Sequence, residues 1–191
     1  PSGGVFYPDY FGNNFVLNDL THDGGLTAIR IEGPINSVDQ RLGRLSKELS
    51  LLDQEISILD NEQSNIFWSR TKNLEVFKSL KSNLIRIVVP ISETLQVIQK
   101  FKNYETKYFI DWGGNLIWAS FDQLNTKILN EIKDVVKNHQ GYITLIKVEE
   151  DLKAAADIFT IDPIKYKISE KIKRSFDPKR IFNPGKMYTG I

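Results

Sequence analysis

The chain has no cysteine, one methionine, two histidines and no long apolar run. Without cysteine there are no disulfides, thiolate metal sites or cysteine nucleophiles, which suits a reducing, cytoplasmic setting. Apolar stretches are all short: the one near residues 84–90 is about seven residues even when counted across Arg86, against the roughly 20 that a membrane helix needs. An excess of one charge is missing too. Twenty-five Lys and Arg against 24 Asp and Glu leave a net charge of +1, so no global field draws the chain to nucleic acid or an anionic membrane. There is no P-loop and no Gly-x-Gly-x-x-Gly after a strand, hence no nucleotide cradle within the chain. The chain opens at Pro1, with neither a Met nor a signal peptide, and is expected to be a mature fragment or the tail of a longer product.

What is there is ordinary globular material: 191 residues, 41% hydrophobic, 26% charged and 11% aromatic. The first 25 residues read as a loop. Glycines 3, 4, 12, 24 and 25 interrupt Phe6, Tyr7, Tyr10, Phe11 and Phe15 without a period, as aromatics do when they pack onto a neighbouring surface. Residues 27–32 then read as a strand. Gly33 and Pro34 open a helix whose Ile35, Val38, Leu42, Leu45 and Leu49 share one face. Residues 55–59 read as a short strand, and Asp60 with Gln63 as a capping box for a helix carrying Phe67 and Trp68. Residues 83–89 form the best strand, ended by Pro90, and Ser92 is placed as the cap of the next helix. Strands at 107–112 and 115–121 are joined by Gly113-Gly114, read as a two-residue hairpin turn. A helix with Leu124, Ile128, Ile132 and Val135, a strand at 142–148, and helices at 149–158 and 163–176 complete the chain. About six strands in this order predict an α+β fold of ferredoxin-like type, a mostly antiparallel sheet with helices on one face.

Few residues suggest chemistry. His22 beside Asp23 and His139 before Gly141 lie far apart and lack a second ligand at i+2 or i+4, so both are read as surface or capping groups. Glu149-Glu150-Asp151 suits a helix N-terminus. Between residues 164 and 188, Lys165, Lys167, Lys171, Lys173, Arg174, Lys179, Arg180 and Lys186 face only Glu170 and Asp177 in charge. They serve as a solvated helix face or as the surface met by an anionic ligand or partner. Two prolines then fix the end of the chain. Pro184 is expected to hold Asn183 extended with its carboxamide presented.

The run Phe176-Asp177-Pro178-Lys179-Arg180-Ile181-Phe182-Asn183-Pro184-Gly185-Lys186 resembles the closing signature of FAD-linked oxidases of the vanillyl-alcohol oxidase type. The run Asp111-Trp112-Gly113-Gly114 is similar to the hairpin of the glycolate oxidase E-subunit branch, and the likeness extends loosely over residues 25–187. The resemblance implies that residues 26–175 are the cap domain, and that 1–25 are a lead-in from a missing N-terminal FAD-binding lobe. It also implies that 176–191 form a tail returning toward the flavin, with Asn183, Lys186 and Arg180 approaching FAD.

Catalytic members carry His-x-Gly-Asp-Gly-Asn-Leu-His at this hairpin. Aligned on Gly114-Asn115-Leu116, the two histidines fall on Ile110 and Ile117, and the aspartate on Gly113. Isoleucine has no lone pair, so no catalytic residue is assigned. The resemblance implies an accessory E-like subunit beside a D-like flavin subunit and an F-like iron–sulfur subunit, cytoplasmic or peripheral at the inner membrane through that complex. FAD belongs to the intact protein, and the fragment alone is expected to bind it weakly and to be inactive. The other reading of the residues is a ferredoxin-like interaction module with no redox role.

Overall fold

A computed structural model of the chain describes residues 1–11, 24–52, 56–78, 83–160, 162–186, 188 and 191. Two compact units divide it: Pro1–Leu80 with Phe109–Gly113, and Lys81–Tyr108 with Gly114–Ile191. Strand β4 (Thr106–Asp111) begins in the second and ends in the first.

In the first unit β1 (Gly3–Tyr7) pairs antiparallel with β2 (Leu26–Arg30), from Gly3 opposite Arg30 to Tyr7 opposite Leu26, and meets β4 at Phe6 opposite Ile110. The strand period of two sends Val5 and Tyr7 inward. The Tyr7 ring centroid lies 4.8 Å from Phe109, 5.9 Å from Phe11 and 6.3 Å from Phe67. Its hydroxyl donates to Thr71 Oγ1 (2.9 Å), which donates on to the Phe67 carbonyl (3.1 Å). The expectation that residues 1–25 are irregular therefore fails at 3–7. The glycines that masked the strand are part of it: a Cβ at Gly3 would sit 3.1 Å from the Trp68 ring. Phe15 and His22 lie outside the described residues.

Helix α1 (Ile35–Ser50) follows Pro34, with Val38, Leu42, Leu45 and Leu49 half-buried and Ile35 exposed. Residues 56–59 are not a strand; they lead into α2 (Asn61–Lys72). The capping box there is complete: Asp60 Oδ1 accepts the Gln63 amide (2.8 Å) and Gln63 Oε1 accepts the Asp60 amide (3.1 Å).

The second unit runs β3 (Asn83–Val88), α3 (Thr94–Phe101), the first part of β4, β5 (Leu116–Phe121), α4 (Thr126–Asn138) and β6 (Tyr142–Lys147). Its strand order is β4-β5-β3-β6. That is the βαββαβ ferredoxin-like plan, with β3 antiparallel to both β5 and β6. Ile85 and Ile87 face Ala119 and Ile117 in register, and all four are fully buried. Val97, Ile98 and Phe101 of α3 and Leu129, Ile132 and Val136 of α4 complete the core, the two helices lying side by side. Gly141 allows β6 to begin there, since a Cβ would collide with Val89 Cγ1 and lie 2.7 Å from the Val88 carbonyl.

Two local readings are corrected. Ser92 is not the cap of α3; a 3-10 turn at Ile91–Glu93 intervenes after Pro90, and Glu93 precedes the helix. The β4–β5 connection spans residues 112–115, with Trp112, Gly113 and Gly114 all at positive φ (54°, 63° and 120°), rather than being a two-residue turn. Beyond β6, α5 (Glu150–Ala155) is shorter than expected. Residues 158–160 instead run along β6. The Leu145 amide donates to the Ile158 carbonyl (2.8 Å), and the Thr160 amide donates to the Ile143 carbonyl (3.1 Å), covering an otherwise open sheet edge. Helix α6 (Pro163–Phe176) has the predicted bounds, capped by Asp162 on the Ile164 amide (2.8 Å).

Candidate functional site: the C-terminal tail

Helix α6 is inverted. Ile164, Ile168, Ile172 and Phe176, four residues apart and hence on one face, are between 53% and 84% exposed. The half-covered face is polar, made of Tyr166, Ser169, Glu170 and Lys173. Just past the helix Asp177, only 6% exposed, turns the chain back. Its Oδ1 accepts the Ile181 amide (2.9 Å); its Oδ2 accepts the Phe182 amide (2.9 Å) and lies 2.7 Å from Lys173 Nζ. The same ammonium donates to the Phe182 carbonyl. The Lys173 ammonium, helped by the two amides, outweighs burial and holds the Asp177 carboxyl down at about 2.

This clamp sets the conformation of the next residues. The Arg180 amide closes a turn on the Asp177 carbonyl (3.0 Å) and the Lys186 amide one on the Asn183 carbonyl (3.2 Å). Arg180 (φ 52°) and Asn183 (φ 48°) are both left-handed. The expectation of an extended Asn183 is thus wrong. Pro184 excludes the right-handed helix, but asparagine tolerates the left-handed region, and the turn takes it. Arg180, Asn183 and Lys186 are all exposed within one short stretch. Arg180 lies 3.8 Å from Glu170 Oε1, which Arg174 shares at 3.4 Å.

The histidine readings resolve differently. His139 caps α4 and its Nδ1 lies 2.7 Å from Glu93 Oε2, so it ties the end of α4 to the start of α3. That hydrogen bond lowers the Glu93 carboxyl. Among the described residues no group of three or more His, Asp or Glu could hold a metal. No described helix is long and apolar enough to cross a membrane. At the hairpin Ile110 is half-buried and Ile117 is 0% exposed. Two neighbours there were not singled out from the sequence. Asp111 Oδ1 accepts the Trp112 amide (2.7 Å), holding the exposed Trp112 in a left-handed turn, while burial raises the Asp111 carboxyl. The only signal for them was their place in the Asp-Trp-Gly-Gly run.

Residues 159–187, from the cover of β6 through α6 and the clamp, match the family described as FAD linked oxidases, C-terminal domain. The chain is similar to that domain over these 29 of its 191 residues. It is also similar to the glycolate oxidase subunit GlcE of Escherichia coli (strain K12), 25% identical over 131 residues. The match covers 68% of this chain and 33% of that protein, so the chain spans about a third of the length of its relative. The donor chemistry of the tail fits an anionic group such as FAD. A guanidinium, a carboxamide and an ammonium are exposed within one short stretch; Asp177 is turned inward and paired with Lys173, and Glu170 is shared between Arg174 and Arg180.

Proposed function

We propose that the chain is the cap region of an accessory, E-like subunit of an FAD-linked 2-hydroxy-acid (glycolate) oxidase or dehydrogenase. In this reading residues 1–25 lead in from an FAD-binding lobe, 26–175 form the cap and 176–191 return to the flavin. A bound flavin supplies hydride acceptance. Asn183 would hydrogen-bond the polar edge of the cofactor, and Arg180 and Lys186 would meet its negative charge.

The observation that carries the accessory role is the hairpin. Ile110 and Ile117 stand where the resemblance puts the two histidines of substrate-oxidising members, and Ile117 is sealed in the core opposite Ile87. Neither side chain can ligate a metal or take a proton from a hydroxyl. Substrate oxidation would then fall to a D-like flavin subunit, with an F-like iron–sulfur subunit receiving electrons. Co-expression of the full-length protein with such subunits tests this: a stable complex containing flavin on this subunit is expected. A full-length protein that carries no flavin and joins no such complex sinks the reading.

The second reading, an interaction module without redox chemistry, draws on the apolar outer face of α6. It predicts the same complex with no flavin on this subunit.

A further inference from the structure

We propose that Asp177 and Lys173 act as a positioning pair that pre-organises Arg180 and Asn183 for FAD. The inference rests on the reading of the tail given above and adds residues that do not touch the cofactor themselves. Arg180 and Asn183 both sit at positive φ, a conformation that asparagine tolerates but arginine keeps only where the surroundings over-determine it. Three contacts supply that constraint. Both Asp177 oxygens are engaged by backbone amides two and one residues before Asn183, and Lys173 Nζ bridges Oδ2 to the Phe182 carbonyl.

The chemistry demands a carboxylate. Ile181 and Phe182 each donate to a different oxygen, and an asparagine has only one acceptor, its NH2 facing the other donor. Lys173 is the matching cation: its side chain is only 17% exposed, from α6, a rigid element one helical turn before Asp177. A tail held this way meets its ligand without first being ordered, which is what preorganisation contributes to affinity.

The test uses the full-length flavoprotein with Asp177→Asn, Lys173→Met, Lys173→Arg, Arg180→Ala and Asn183→Gly. FAD affinity is read from flavin fluorescence, tail order from amide exchange at Ile181 and Phe182, and integrity from the thermal midpoint of the flavin-free protein, which FAD affinity does not move. D177N and K173M should speed exchange at both amides and weaken FAD by on the order of tenfold or more, with the thermal midpoint unmoved. K173R should bind like the parent. Faster exchange with unchanged FAD affinity, while R180A and N183G do weaken it, overturns the positioning pair and leaves the tail reading standing. Unchanged affinity in all the variants overturns both. Loss of affinity matched by a falling thermal midpoint in both D177N and K173M makes the pair merely structural and also overturns the proposal.

Discussion

The Tyr7–Thr71 hydrogen bond is a testable link between the first strand and α2. Tyr7 is 1% and Thr71 3% exposed, and the phenol donates at 2.9 Å to a hydroxyl that donates onward to its own helix. Tyr7→Phe removes one donor and leaves Thr71 its bond to Phe67, so the loss should be about 0.5–1.5 kcal/mol. Thr71→Val removes this acceptor together with the onward bond to the Phe67 carbonyl, costing about 1–3 kcal/mol. The double variant should lose less than the sum, by roughly 1 kcal/mol. Tyr7→Ala also empties the space against Phe11, Phe67 and Phe109 and should cost about 3–5 kcal/mol.

Burial, reinforced by Asp111 and opposed by Thr71, raises the Tyr7 hydroxyl above its ordinary 10.0. The folded state therefore keeps a proton the unfolded chain gives up, and stability should fall as pH rises past about 10. Urea unfolding of the parent and the four variants, repeated at neutral and alkaline pH, checks both points. Thr71→Val no worse than Tyr7→Phe, with additive losses, and an alkaline slope unchanged in Tyr7→Phe, would refute the reasoning.

Other substitutions test the second unit and the helix caps. Gly141→Ala drives a Cβ into Val89, the Val88 carbonyl and Val136, and should destabilise by about 1–3 kcal/mol in a thermal melt. Asp60→Ala removes half of the capping box and should cost about 0.5–2 kcal/mol by urea unfolding, with little change if Gln63 acts alone. His139→Ala should return the Glu93 carboxyl toward its ordinary 4.5 in a carbon-13 NMR titration. Because that carboxyl is depressed in the fold, its contribution is present above pH 4.5 and lost as pH falls through the lowered value. A Glu93 titration identical in parent and variant contradicts the pairing.

Sequence patterns located the elements that speak through local chemistry. Asp60 and Gln63 announce α2 by reciprocal capping, and Asp162-Pro163 announces α6, because each signal is complete within four residues. The strand Gly3–Tyr7 was hidden because its glycines serve a neighbour, Trp68, which no local pattern reveals. The edge cover at residues 158–160 was likewise hidden, since its partner is β6 and its own sequence reads as a helix end. In the tail, the two prolines marked the turn but not its hand. The hand depends on Asp177 reaching amides four and five residues on, a contact that only the folded helix end creates. The hairpin isoleucines were legible by comparison with the family pattern, whereas the hold of Asp111 on Trp112 was not.

The accessory-subunit claim meets its most direct test in an anaerobic mixture of the full-length protein and glycolate, watched through flavin absorbance. The account predicts a flavin-bearing protein whose oxidised band persists with glycolate alone and bleaches only when a D-like subunit is added. Rapid bleaching by glycolate alone would contradict it, because Ile110 and Ile117 offer no group to ligate a metal or take the hydroxyl proton.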